Sequence, residues 1–452
     1  MTDRLICGRI VAGHGAPEPG WIHVEGERIA ALGNGARPRA AEVDDHGDAL
    51  VLPGVVDGQT HATSARGLPG IRETTRGAIA GGVTTLVDMP YDNPLPLDRP
   101  ECFDAKAAAV AGHAHADMAL YATVTAETGT DHVAALVERG AVAFKISSFE
   151  SSPTRFPRID AALTLDLLEA LAPTGVPLGL HNEDQEIVRA RMARMRAAGL
   201  DGIEAHARSR PEAAELAATA SFHAMGLAAG AHTHAVHLTT GRGFALTAAM
   251  ADGARATGEL CVHYLWFDAA RDGETLGARM KVNPPIRSGA IDGLWQAVER
   301  GEVALVSSDH SSWPIDNKLA GSIFDAGAGV PGVETLLPAF FTAARERGLD
   351  GATLCARMLA ERPARFFGID HRKGRLAPGL DADIAVLEEG SFPWDEAGAH
   401  DGLRWSPYQG RRFAARVRAT YLRGKPAWDG ATILNAPGAG GLVTRGTRGW
   451  YA

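Results

Sequence analysis

Residues 50–61, LVLPGVVDGQTH, start as an apolar run and end on polar heads, and the reading of that run decides the fold. A short apolar run bounded by turn-forming residues reads as a strand buried on both faces. The pattern recurs. Residues 140–145 read GAVAFK, 175–181 GVPLGLH, 232–237 HTHAVH and 303–310 VALVSSDH. Between these runs lie alanine-rich helical stretches such as RPECFDAKAAAVAGHA (99–114) and RPEAAELAATASFHAMGLAAG (210–230). Strand then helix, many times over, predicts a parallel sheet, and the length of the region favours an α/β TIM (β/α)8 barrel over an open sheet.

Both chain ends have another texture. GWIHVEGERIAALG (20–33) alternates apolar and polar residues around a Glu-Gly turn, and ARVRATYLRGKPAWDG (415–430) does the same with glycine turns. The two ends are expected to pair into a small β-sandwich domain. This divides the chain into residues 1–50, the N-terminal part of the sandwich, 51–370, the barrel, and 371–452, the rest of the sandwich and a tail. That tail, NAPGAGGLVTRGTRGWYA (435–452), reads as extended chain or as an interface arm.

Composition excludes several classes of function. A formal charge of -9 and 45% hydrophobic residues argue for a globular protein without a phosphate-binding surface, so no nucleic-acid partner is expected. The N-terminus MTDRLICGRIVAGHG breaks up before a signal-like core can form, and no apolar run is long enough to span a bilayer, which predicts a cytoplasmic protein without a membrane partner. Cys7, Cys102, Cys261 and Cys355 are widely spaced and read as reduced, structural thiols.

In a parallel barrel the reacting groups sit at the C-terminal ends of the strands. The runs above end at His61, Lys145, His181, His237 and Asp309. One histidine beside a strand is more often structural than a ligand, and a protonated lysine cannot bind a metal. Five positions in barrel order, with three imidazoles and a carboxylate among them, point instead to a catalytic zinc-type site.

VLPGVVDGQTH, AIAGGVTTLVDMP, AFK, LGLHNED, HAVHLTT, SSDHS, VPGVETLLP, ERPARFFGI and KGRLAPGLDADIAVLE, in this order, resemble the cyclic amidohydrolases: dihydroorotases, allantoinases, dihydropyrimidinases and hydantoinases. The likeness spans nearly the whole chain. It implies hydrolysis of a ring amide in a small-molecule substrate, with one or two zinc ions, or other divalent metals, per protomer. Lys145 would bridge two metals after carboxylation by carbon dioxide. His181 and His237 would hold one metal, His61 and Asp309 the other, and Asp309 would move the proton. Members of the group form dimers or tetramers, so a homodimer or homotetramer is expected. This sequence departs from the group's His-x-His at the first strand, where it has Gln59-Thr60-His61. Gln59 is either a weak ligand, a substrate contact or a sign of a one-metal site, and a non-catalytic relative is the alternative from another class.

Local details lean towards allantoinase. GELCVHYLWFDAA (258–270), KVNPPIRSG (281–289) and the loop ISSFESSPTRFPRID (146–160) resemble that branch, while hydantoinase or dihydropyrimidinase specificity, or a cyclic imide, is the alternative. Hydantoinases carry a tyrosine five residues beyond the lysine, where this chain has Glu150. Asn283 and Arg66 are candidate substrate contacts. Arg72 and Arg76, four apart, are expected on a solvated helix face. His263 and His310 flank motif positions and are expected to be supporting rather than ligating.

Overall fold

The structure is a computed structural model and describes residues 2–13, 15–319, 321–447 and 449–451. Among the described residues, sixteen strands form two sheets. Strands β1 (Asp3–Ile10), β2 (Glu18–Glu25), β3 (Arg28–Gly33) and β4 (Glu42–Pro53) open the chain. Then come β5 (Val55–His61), β6 (Val83–Asp88), β7 (Asp117–Ala122), β8 (Ala143–Ser147), β9 (Leu178–His181), β10 (His232–Ala235), β11 (Arg255–Cys261), β12 (Leu305–Ser307) and β13 (His310–Ser311). The last three are β14 (Ile384–Pro393), β15 (Arg412–Leu422) and β16 (Lys425–Trp428).

Strands β5 to β13 pair in parallel throughout and form the barrel. β12 and β13 are two pieces of one eighth stave: β12 pairs with β11, and β13 closes the ring on β5. The break falls at Ser308 and Asp309, where Asp309 has φ +48°. Asp57 on β5 anchors it by accepting hydrogen bonds from the Ser308 amide, 2.9 Å, and hydroxyl. Inside the ring, Val56, Tyr121 and Leu305 pack with Phe366 and Phe367. A Cβ on Gly58 would stand 2.8 Å from Leu305 Cδ1, which is why β5 carries glycine there.

The remaining strands form one seven-stranded sheet in the order β16-β15-β14-β4-β1-β2-β3, built from both chain ends as the alternating textures predict. The Glu-Gly turn is where it was expected, with Gly26 at φ +62° joining β2 to β3. Alternation sends the two faces of the central strands to two cores. Val51, Ile384 and Val386 meet Ile22 and Tyr421 within the β domain, while Leu50, Leu52, Ala385 and Leu387 pack on the barrel's helices. Each such buried aliphatic side chain stabilises by roughly 1.5–3 kcal/mol, so the sheet and the barrel share their stability.

The tail is not a free arm. Gly441 donates to Asp117 Oδ1 at 2.8 Å and Val443 to Met118 O at 2.8 Å, at the N-terminal end of β7, while Tyr451 Oη donates to Ala256 O near the start of β11. It floors the barrel, opposite the strand ends that carry the polar residues. Among the described residues no helix is long and apolar enough to cross a membrane.

Candidate active site

Period-2 alternation on β5 puts Gln59 and His61 on one side of the strand. Lys145 lies in β8, His181 ends β9, His237 follows β10 by two residues, and Asp309 sits in the break of the eighth stave. All six line one cavity of about 370 Å³ at the C-terminal end of the barrel. The positive φ values of His237 (+43°) and Asp309 (+48°) turn the chain at the two positions where the strand has ended and the side chain must point inwards.

The hydrogen bonds around the imidazoles reveal which nitrogens carry protons. The Ser64 hydroxyl has a single proton and gives it to Tyr91 O at 2.6 Å, so it accepts from His61 Nδ1 at 3.2 Å. In neutral His61 the lone pair is therefore on Nε2, which faces Asp309 Oδ1 at 3.4 Å. His181 Nε2 lies 2.9 Å from Glu183 Oε2. Burial opposes the Glu183 charge, but Arg210 and the His181 contact outweigh it and hold the carboxyl down at about 2. Glu183 is thus an acceptor, His181 Nε2 bears the proton, and its Nδ1 lone pair faces His237 Nε2 at 3.0 Å.

Burial lowers the pKa of both His181 and His237, so they stay neutral. Burial also lowers Lys145, against the raising fields of Asp309 and Glu259, and brings its amine closer to the unprotonated form. Lys145 has no ion-pair partner among the described residues, and Phe156 lies 6.0 Å from its Nζ. For Asp309, burial works against ionisation, but a protonated His61, which then donates from Nε2, and the Lys145 charge prevail, and its pKa is lowered. Gln59 Nε2 donates to Asp309 Oδ1 at 2.8 Å, and its Oε1 is buried with no hydrogen-bond partner, as is His237 Nδ1.

Three imidazoles and a carboxylate set this close, with the Gln59 carbonyl oxygen and His237 Nδ1 left unpartnered beside them, are a ligand set that suits zinc. The residues therefore fit the metal. The cluster Asp117, Asp381 and Asp383 does not: Lys373 Nζ reaches all three at 2.6–2.9 Å and Arg423 binds Asp117, so cations of the protein already fill it.

Asn283 lines the same cavity, with a buried Oδ1 that has no partner. Arg66 does not reach it. It is exposed, its guanidinium lies by Gly402 and Asp401, and it is not among the residues that line the cavity. The loop turns outwards there to enter the helix Gly70–Ala80, on which Arg72 is exposed and Arg76 pairs with Glu73 at 3.2 Å. His263 and His310 are buried outside the lining, and His310 Nδ1 accepts from the Gly332 amide. Glu150 lines the cavity, its carboxylate 3.6 Å from Arg189.

Sequence reasoning had not assigned Glu183, Arg210, Ser64 or Lys281. Glu183 carried a signal, since it stands two residues beyond a histidine at a strand end. Arg210 and Lys281 come from distant segments.

The sequence matches the amidohydrolase family over residues 50–427. It is 35% identical over 444 residues to an allantoinase of Rubrobacter xylanophilus, covering 96% of each chain. A dihydroorotase of Halobacterium salinarum is 34% identical over 425 residues, 91% of this chain and 94% of that one. The structure superposes on an L-hydantoinase from Arthrobacter aurescens with a TM-score of 0.93 at 27% identity, over 98% of this chain and 100% of that one.

Proposed function

The chain belongs to the amidohydrolase family, and on that premise we propose that it is a metal-dependent hydrolase that opens a cyclic ureide ring, with allantoin as the preferred substrate. The observation that supports this reading is the convergence of potential metal-ligating atoms at the mouth of the barrel: His181 Nδ1 and His237 Nε2 at 3.0 Å, and His61 Nε2 and Asp309 Oδ1 at 3.4 Å. His181 and His237 would hold one zinc ion, and His61, Asp309 and the Gln59 carbonyl oxygen a second. Lys145, desolvated and with its pKa lowered, would be carboxylated by carbon dioxide and would then offer carboxylate oxygens to the ions. Divalent cations there supply Lewis acidity towards the ring carbonyl and lower the pKa of a water molecule towards neutrality.

The chain's own residues do the rest. Gln59 donates to Asp309 Oδ1 and His61 Nε2 lies 3.4 Å from the same oxygen, which leaves Oδ2 to take the proton of the attacking water and return it to the ring nitrogen as the C–N bond breaks. Asn283 Oδ1, buried and unpartnered, is placed to accept a ring N–H. Glu183, fixed by Arg210, locks the His181 tautomer. A one-metal form is the second reading, favoured by the Gln59 N–H that already occupies one lone pair of Asp309.

Elemental analysis combined with turnover of allantoin, hydantoin, dihydrouracil and dihydroorotate tests the proposal. The expected result is zinc near two per protomer and fastest turnover of allantoin. Zinc near one supports the second reading. No metal and no turnover after metal resupply would overturn both and leave a non-catalytic relative.

A further inference from the structure

One wall of the cavity is a glycine-rich loop, residues 321–330, which contributes Phe324, Ala326, Gly327, Ala328 and Gly329 to the lining. Little in its own sequence should hold it still, because glycine leaves the backbone free. Two buried lysines do so. Lys318 is fully buried, and its Nζ donates to the carbonyls of Lys281 (2.6 Å), Gly327 (2.9 Å) and Gly329 (2.8 Å). Lys281 Nζ donates to Ile323 O at 2.6 Å and to Ala326 O. Gly329 in turn donates its amide to Lys281 O at 3.0 Å.

An ammonium has three donors and no acceptor. Lys318 spends all three on main-chain carbonyls, and four of the five carbonyls taken by the two lysines belong to the loop. Neither lysine has a carboxylate ion-pair partner among the described residues. Burying two cations against neutral dipoles is unfavourable unless the geometry they impose is used. The two residues also differ in exposure to the site, since Lys281 itself lines the cavity.

We propose that Lys281 and Lys318 are positioning residues for the ring-opening reaction, fixing the carbonyls of the 323–329 wall so that its peptide groups meet the substrate in one orientation. The link to the reaction rests on the function proposed above; the hold on the loop does not. Because each peptide unit is planar and trans, a carbonyl drawn towards a lysine turns the following N–H the other way. Lys318 thereby sets the orientation of the Gly327–Ala328 and Gly329–Val330 peptides together. Charge strengthens these bonds about twofold over neutral ones, and burial pushes Lys281 down to about 8, helped by Arg210 and Arg196 and opposed by Asp325. Lys318 is its remaining charged neighbour.

The test uses the full-length metal-loaded protein and the variants Lys281→Met, Lys281→Arg and Lys318→Arg. Hydrogen exchange of peptides covering 321–330 is read without substrate, together with KM and kcat for allantoin. Lys281→Met is expected to speed exchange tenfold or more within that segment alone, and to raise KM about tenfold with kcat changed less than threefold. Lys281→Arg should restore most of both. Unchanged exchange in Lys281→Met would overturn the hold on the loop. Faster exchange with KM unchanged would overturn the role in substrate placement. If Lys281→Met does not fold, Lys281→Gln is read in its place: faster exchange of the segment supports the proposal, and exchange equal to the wild type overturns it. A protein that turns over no ureide leaves the exchange result standing, so failure of the substrate reading is separately visible.

Discussion

The two ends of the barrel each bury a cluster of ionisable side chains, and they treat them in opposite ways. At the floor, Lys373 donates to Asp117 and Asp383 and lies 2.9 Å from Asp381, Arg423 binds Asp117, and Arg28 and Arg372 close on Asp381. Cations meet every carboxylate there, and the Gly441 amide adds a further bond to Asp117. At the mouth, among the described residues, Lys145 has no ion pair, and Gln59 Oε1 and His237 Nδ1 are buried with no hydrogen-bond partner. Saturated charge joins parts of a fold, whereas charge left short of partners keeps a place for something that is not protein.

The comparison can be broken most directly at Asp309. Asp309→Asn should lower kcat for ureide hydrolysis on the order of 10³-fold, while the melting temperature stays the same or rises, because an underpartnered functional group contributes little to stability. A parallel loss of activity and stability would contradict the contrast. The opposite outcome is expected at the floor. Lys373→Met leaves three carboxylates around an apolar side chain and should destabilise by about 3–5 kcal/mol, with kcat per folded molecule unchanged within about twofold. Denaturant melts paired with active-site titration separate these effects.

Gln59→His sharpens the same contrast at the mouth. It replaces a weak neutral oxygen by imidazole, and the second metal should resist chelator about tenfold longer, read as zinc per protomer during dialysis. The smallest effect belongs to Lys281, a cation on carbonyls that lies between the two extremes. Its pKa is pushed down to about 8 in the folded chain against an ordinary 10.5. Between those values the unfolded chain still binds the proton that the folded chain has shed, so this residue's contribution to stability is lost as pH falls through 8 and recovered towards 10.5. The stability difference between wild type and Lys281→Met should shift in favour of the wild type across that window, measured by urea melts.

Much of this was legible in the sequence, for physical reasons that also mark where legibility ended. His181 and Lys145 stand out because strands of a closed barrel are apolar until they reach the mouth. The hairpin at Gly26 stands out because alternation and a turn residue coincide. Arg66 marks a limit, because sequence distance from His61 says nothing about which way the chain leaves the strand, and here it turns towards residues 401 and 402. Lys281 and Lys318 left no trace because their partners are carbonyl groups, which every residue carries. The Gln59 question was visible, yet its answer needed the third dimension: the amide faces Asp309 with its nitrogen and leaves its oxygen to the cavity.

The tail that floors the barrel has a further consequence, for the order in which the chain can be assembled. On a ribosome β4 emerges early, but its neighbour β14 comes only after the whole barrel, and β7 waits for residues 441–443 before Asp117 and Met118 are bonded. Contacts of such long sequence separation form late. The nascent chain therefore carries an open sheet edge and an unsealed barrel for most of its synthesis, and becomes cooperative only when its last segment docks. Truncations ending before residue 441 are accordingly expected to be the substrates of chaperones and proteases, even though every residue lining the cavity would already be present.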